Sequence, residues 1–463
     1  MNSIIEAIIS FSNWIWGVPM LVILLGGGIF MTVRLGFFQF RHFPFICGQT
    51  FGRMFGKPSG DGTISPFGAA TAALASTIGA ANIVGVAVAI AFGGPGAVFW
   101  MWITALMGCA MKYSEIILGI KYRAKNEEGE YVGGPMYYLT YGLKNKSMGK
   151  VLGTLFAFFL MLELAGSIAT QTVSLVQTAE TISIHKYVSG VVLVVLVSLV
   201  VFGGIKRIST VTEKLVPFMA IVYMGIALVI VIMNIKHVPA AITHIFMNAF
   251  TATAAEGGFA GAAIAAGIRW GVARGCYSNE AGMGTAPLAH SAAITDHPAR
   301  QAMWGVFEII VDTLFVCSAT AFIVIVTDIW KELPANQAAS MPARAFQMLL
   351  GDRLGGGIIT MCILMFVYST IMVLVFYGEK QVEFLFGTKA AKVMRVAYVA
   401  SIGAGVVGGL EFLYQFVDVL LAAIIIPNVI GVCAMSGQVK EIKDDFFSNP
   451  KFYPPCRKLH ILN

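Results

Sequence analysis

Thr71-Ala-Ala-Leu-Ala-Ser-Thr-Ile-Gly-Ala-Ala-Asn-Ile-Val-Gly-Val-Ala-Val-Ala-Ile90 lies within a run, from Asp61 to Lys112, that holds no charged side chain between its ends. It has the length and apolarity of a membrane span, but Ser76, Thr77, Gly79 and Asn82 sit where a lipid-facing helix carries Leu, Ile and Phe. Glycine weakens a helix by about 1 kcal/mol relative to alanine, and Ser, Thr and Asn compete with its backbone ladder for hydrogen bonds. The pattern predicts a helix that breaks near Gly79. At membrane depth, non-helical backbone is stable only where it is buried in protein or lines a wet cavity, so the break marks a site.

The rest of the chain is a membrane protein by composition. Hydrophobic residues make up 57% of 463 positions and charged residues 12%, with a mean hydropathy of +0.80. No ordinary soluble domain has this balance. The net charge of +7 comes from basic residues in short loops, which indicates topology and no nucleic-acid partner. Seven cysteines without a CxxC pair indicate neither a disulfide framework nor a zinc site. The N-terminus lacks a basic leader, so residues 14–33 are expected to be a retained helix.

Apolar segments fall at 14–33, 66–91, 96–118, 151–178, 187–205, 215–235, 258–292, 302–327, 355–378, 396–410 and 413–435, an expectation of eleven transmembrane helices in one all-α domain with a tail over 436–463. They are too long and too continuously apolar for β-barrel strands. With the N-terminus outside, the outer loops hold only Lys186, Lys236, Lys331, Arg344 and Arg353, while Lys112, Arg269 and Arg274 lie within spans. All other members of the 31 Lys and Arg fall inside. This asymmetry predicts an outside N-terminus and a cytoplasmic C-terminus in the cell membrane. Residues 238–256 are expected to form an amphipathic helix at the outer interface. The acids Glu127, Glu128 and Glu130 are expected in a solvated inner turn.

The seventh segment repeats the fault of the second. Glycines at 267, 271, 275, 282 and 284, Pro287 and the polar run Ser278-Asn279-Glu280 make a continuous helix improbable. Spans 2 and 7 are five helices apart and therefore antiparallel, so 66–235 and 258–435 form two candidate five-helix repeats related by an axis in the membrane plane. Interrupted segments at corresponding places in two halves point to a transporter's binding site. Half-helix N-termini suit a carboxylate, whereas freed carbonyls suit Na+ or an ammonium group.

Six motifs carry a family resemblance: Ser65-Pro-Phe, Gly79-x-x-Asn-Ile-x-Gly85, Gly93-Gly-Pro-Gly-Ala-Val-Phe-Trp-Met-Trp102, Gly133-Gly-Pro-Met-Tyr-Tyr, Arg274-Gly-x-x-Ser-Asn-Glu-Ala-Gly-x-Gly-x-Ala-Pro287 and Tyr377-Gly-Glu-Lys380. With them nearly the whole chain resembles the alanine/glycine:cation symporters. The resemblance implies the leucine-transporter fold, a 5+5 inverted repeat preceded by one extra N-terminal helix, and sodium-coupled uptake of small neutral amino acids without an organic cofactor. It implies a substrate site at Gly79, Ala80, Ala81, Asn82, Gln171, Ser278, Asn279 and Gly282. A sodium site is implied at the carbonyls near Ala75 and Ile78, the hydroxyls of Ser369 and Thr370, and Asn82. The family usually has Gly-Thr-Gly-Asn at positions 79–82 and an asparagine where this chain has Val173, so the pocket here is less polar.

Each candidate has a plainer alternative. Asn82 and Gln171 also serve as interhelical hydrogen-bonding residues, and a Ser-Thr pair such as Ser369-Thr370 commonly bonds back to its own helix. Glu280 is a candidate gating acid, a cap or a partner of Arg, Lys112 and Glu115 form an i,i+3 pair or snorkel, and Glu308 and Asp312 are pathway acids or partners of Arg269 or Arg274. Glu163 has no partner legible in the sequence. A proton-driven transporter of the same fold, with Glu280, Glu308 or Glu163 as relay, stands as the alternative function. An intramembrane enzyme is disfavoured because neither H-E-x-x-H nor G-x-S-x-G occurs. A pore would not need two opposed breaks.

Overall fold

The computed structural model describes residues 2–251, 260–408 and 411–453. These are almost wholly helical; the one strand pair among them joins Ala124–Lys125 to Tyr131–Val132. Among the described residues, eight helices are long and apolar enough to cross a membrane: Ile8–Arg34, Gly96–Lys121, Lys146–Glu180, Gly204–Met233, Pro298–Val326, Asp352–Phe386, Thr388–Val407 and Phe416–Ala434. A ninth is the bent pair Pro66–Thr77 and Ala81–Gly93, whose halves meet at 52°.

Two of the eleven expected spans do not reach that standard. Lys186–Val201 has 16 residues, about 24 Å at 1.5 Å per residue, short of a hydrocarbon core of about 30 Å. The glycine-rich seventh segment is split into Ala260–Asn279 and Ala286–His290. Positions 252–259, 409–410 and 454–463, which include the end of the expected 238–256 helix, the start of the seventh segment and part of the tail, lie outside the described residues.

Both breaks have local causes. Ser65 caps the first half-helix by accepting from the Gly68 amide at 2.8 Å, with Pro66 at the first helical position. That helix ends at Ile78, whose ψ of 86° is non-helical. In the seventh segment Glu280 is left-handed at φ 57°, and Gly282 (φ 91°) and Gly284 (φ 75°) follow it. A glutamate in this region costs about 1–3 kcal/mol, a strain that collects at functional sites.

Helix Lys146–Glu180 runs through the middle, packed on Asp352–Phe386, Thr388–Val407 and Glu411–Ala434. Gly96–Lys121 packs on Ala260–Asn279, close enough that a Cβ on Gly271 would meet the Ala97 carbonyl oxygen at 2.4 Å. Large apolar side chains on Lys186–Val201 and Gly204–Met233, among them Val191, Leu199, Ile221 and Leu228, are exposed as lipid-facing residues are.

The connecting segments are more structured than their sequence implies. Helix Val238–Phe250 buries Ala241, Ile245 and Ala249 and leaves Ile242, Phe246 and Phe250 exposed. The long loop before Asp352 folds into Ile329–Glu332, Ala335–Ser340 and Met341–Leu350. The acids of the expected solvated turn reach across to the Lys380–Arg395 corner: Glu127 accepts from Thr388 at 2.7 Å, and Glu128 pairs with Lys392 at 2.8 Å. Surface pairs such as the latter contribute little stability on their own.

Candidate functional site

The two breaks meet at Asp312. Asn82 Oδ1 accepts from the Gly79 amide at 2.9 Å, which closes the end of the first break, and its Nδ2 donates to Asp312 Oδ1 at 2.5 Å. From the other break, Ser278 Oγ donates to Asp312 Oδ2 at 2.9 Å, and Thr313 donates to the same oxygen at 2.8 Å. A fully buried carboxylate is thus held by three donors and, among the described residues, by no ion pair. The expected alternative, neutralisation by Arg269 or Arg274, does not occur: Arg269 donates to Asn13 at 2.9 Å, and Arg274 stacks over Trp270 and Tyr277.

Asn279 joins this junction through Thr313, to whose hydroxyl its Nδ2 donates at 3.3 Å, whereas Gly282 bonds elsewhere. Asn279 Oδ1 accepts from the Ala281 amide at 3.0 Å, capping the interrupted strand of backbone, and its carbonyl accepts from Lys112 Nζ at 3.1 Å. The Gly282 carbonyl accepts from Asn428 at 2.8 Å. Glu280 ties the second break to the first half-helix, accepting from Ser76 at 3.1 Å and from Thr285 at 2.5 Å.

The i,i+3 pairing expected of Lys112 and Glu115 is replaced by long-range partners. Lys112 forms a fully buried ion pair with Glu308 at 3.1 Å, and Glu308 also contacts His290 at 2.7 Å. Glu115 accepts from the Gly284 amide at 3.1 Å and from Asn428 at 2.6 Å. An ammonium at the carbonyl end of one half-helix and a carboxylate at an amide of the following turn complement the exposed peptide dipoles.

A group of oxygens suited to a hard monovalent cation lies beside the first break. Thr370 Oγ1 is 2.9 Å from the Ala75 carbonyl oxygen and 3.3 Å from that of Ile78, across 295 and 292 residues of chain. Carbonyl and hydroxyl oxygens of this kind bind hard cations, so the residues fit Na+. Ser369 is differently placed: its hydroxyl donates to the Phe366 carbonyl at 2.9 Å in its own helix and contacts Met219 Sδ at 3.4 Å. Asn82 is bound to Gly79 and Asp312 and not to this oxygen group.

On the opposite face of the same turn is a cavity of about 260 Å³. Ala80, Ala81 and Gly85 form one wall, Thr170, Gln171 and Ser174 a second, and Trp270, Arg274 and Tyr277 a third, with Val417 and Asp418 completing it. Gln171 Oε1 accepts from the Ala80 amide at 3.0 Å, so the glutamine binds the unwound turn directly. Trp270, Arg274, Tyr277 and Asp418 were missed as site residues from sequence. Two signals were present: the first three recur at helical spacing on one face, and Asp418 is an acid within an apolar span.

The cavity adjoins a second space of about 270 Å³, with Val84 and Ser174 lining both and Gln337 and Ser340 lining the second. The other end is shut. There the Ile64 carbonyl accepts from Ile294 at 2.8 Å, and Arg123 donates to the carbonyls of Asp61, Ser291 and Ala293 at 2.7, 3.1 and 2.9 Å. A central cavity closed on one side and approached from the other is one state of an alternating-access cycle.

Residues 1–453 match the family model described as the sodium:alanine symporter family. The chain is 49% identical over 455 residues to the uncharacterized transporter YflA of Bacillus subtilis (strain 168), covering 98% of this chain and 96% of that protein. It is 42% identical over 438 residues to the sodium/alanine symporter AgcS of Methanococcus maripaludis, covering 92% and 94%. In fold it is similar to MhsT, solved in complex with L-phenylalanine, with a TM-score of 0.54 at 13% identity, covering 81% of this chain and 89% of that one. The chain shares its overall fold with MhsT, belongs to the sodium:alanine symporter family, and is a multi-pass, sodium-coupled amino-acid symporter that acts by alternating access.

Proposed function

We propose that this symporter imports a small neutral amino acid of the alanine/glycine class with Na+ across the cell membrane, and that both bind at the break of the second span. The observation that carries the reading is the placement of two sites on one turn. The Ala75 and Ile78 carbonyls face Thr370, while Ala80 and Ala81 face the cavity. A cation held by Ala75, Ile78 and Thr370 fixes the conformation of residues 75–78, and with it the wall on which the substrate rests. Binding energy at either site then favours the other, which is what coupling requires. Gln171, Asn82 and Ser278 hold that wall and its antiparallel counterpart, and the methyl groups of Ala80 and Ala81 favour a small apolar side chain over a polar one. Of the other residues assigned here, Asn279 and Gly282 maintain the shape of the second break, Ser369 bonds within its own helix, and the acids Glu280, Glu308 and Asp312 hold the breaks to the surrounding helices.

In this reading the chain crosses the membrane eleven times, an N-terminal helix preceding two inverted five-helix repeats over 66–235 and 258–435. The N-terminus is outside and the C-terminus cytoplasmic. The basic-residue asymmetry supports it, as does the occurrence of an interrupted segment at the start of each proposed repeat. The test is uptake of labelled alanine and glycine into proteoliposomes with and without an inward Na+ gradient. Accumulation only with the gradient is expected. Equal uptake without it, or a response to a proton gradient alone, overturns sodium coupling, and no uptake of any small neutral amino acid overturns the substrate class.

A further inference from the structure

Next to the large cavity, and sharing Ala81, Gln171 and Tyr277 with it, is a much smaller space of about 20 Å³, the size of one water molecule or one bare ion. Glu163 lines it from helix Lys146–Glu180. This glutamate is 2% exposed, and its sole hydrogen-bond partner among the described residues is Ser167, one turn along the same helix. Its second carboxylate oxygen has no donor among the described residues, and no Lys, Arg or His there forms an ion pair with it. Across the space is Glu280, with the hydroxyls of Ser76 and Thr285 bound to it. The nearby ammonium of Lys112 is already paired with Glu308, as is the ring of His290.

Two buried carboxylates thus face one ion-sized space with no basic side chain between them. Charges in this setting cost several kcal/mol each unless a counter-charge accompanies them. The other lining oxygens near them, the hydroxyls of Ser76, Ser167 and Thr285, are hard donors, and a proton on one carboxyl would use at most one of them. We infer that Glu163 and Glu280, with Ser76, Ser167 and Thr285, form a second Na+ site beside the one at the Ala75, Ile78 and Thr370 oxygens, Thr370 lining this space as well. The site joins the helix Lys146–Glu180 to both breaks.

The inference rests on sodium coupling but is tested without transport, by equilibrium binding of radioactive Na+ to the purified full-length protein. About two ions per protein are expected for the wild type and about one for Glu163→Gln, with the Na+ Hill coefficient of uptake falling from near two to near one. Glu163→Asp should retain two, and Ser167→Ala should weaken the second ion about tenfold, which keeps the test valid if Glu163→Gln is poorly folded. One ion in the wild type, or two in Glu163→Gln, overturns the site. An unchanged Na+ count accompanied by a lost pH dependence in Glu163→Gln overturns it in favour of a proton. Absence of Na+-driven uptake in the wild type is a separate result, and refutes sodium coupling itself.

Discussion

The side-chain amide of Asn82 donates to the Asp312 carboxylate at 2.5 Å, while its oxygen accepts from the Gly79 amide at 2.9 Å. One residue therefore closes the unwound turn and fastens it to a helix 230 positions further along the chain. Ser278 reaches the same carboxylate from the second break, so the two interruptions share a single buried anchor.

Asn82→Ala removes both links. A hydrogen bond to a charged acceptor is worth about 1.5–3 kcal/mol, so substrate affinity should fall about 10- to 100-fold while the protein still elutes as a folded species in detergent. Uptake kinetics with monodispersity as control check this, and wild-type kinetics would remove Asn82 from the site.

Thr370 and Ser369 separate in their expected effects. Thr370→Val deletes the hydroxyl that meets the Ala75 and Ile78 carbonyls, and should raise the Na+ concentration for half-maximal uptake about tenfold. Ser369→Ala removes a hydroxyl bonded within its own helix and should shift it less than about threefold. Sodium titrations of uptake in the two variants measure the difference, and equal shifts would place both hydroxyls on the ion.

Lys112→Met leaves Glu308 buried without its ammonium partner. Breaking a buried pair from one side costs about 3–5 kcal/mol, and the double variant Lys112→Met, Glu308→Gln should recover much of it. Thermal unfolding in detergent reads both. If the double variant is no more stable than the single, the pair is not the cause.

His42 and His297 both lie outside the spans and both have a pKa held below 6.5, chiefly because burial disfavours the imidazolium. Lys443 and Arg41 add to this at His42, whereas at His297 the Asp445 carboxylate opposes it. The unfolded chain therefore binds protons that the folded chain refuses. Stability from this source is complete above the unfolded value of 6.5 and is lost as the pH falls towards the folded value. The melting temperature should drop on acidification below about pH 6.5, and His42→Phe should flatten that drop. His42 stacks on Phe447 at 4.2 Å and His297 contacts Phe446, so loosening should begin at helix Ser436–Ser448.

The amino-acid sequence by itself determined the class of the protein and the location of its two interruptions. Long uncharged segments require helices in lipid, and glycine or polar clusters at Gly79 and at Ser278 to Gly284 weaken those helices whatever surrounds them. The tertiary structure decided how each side chain is used. Thr370 meets the free carbonyls while the adjacent Ser369 does not, because the rotation of about 100° between successive helical residues turns one towards the break and the other away from it. Lys112 bypasses Glu115, its neighbour on the same helix, for Glu308, since a desolvated charge takes the best-placed counter-charge in the fold, not the nearest in sequence. Asp418 and Arg274 belong to the cavity wall only because helices distant in the chain converge there, and local composition holds no record of that convergence.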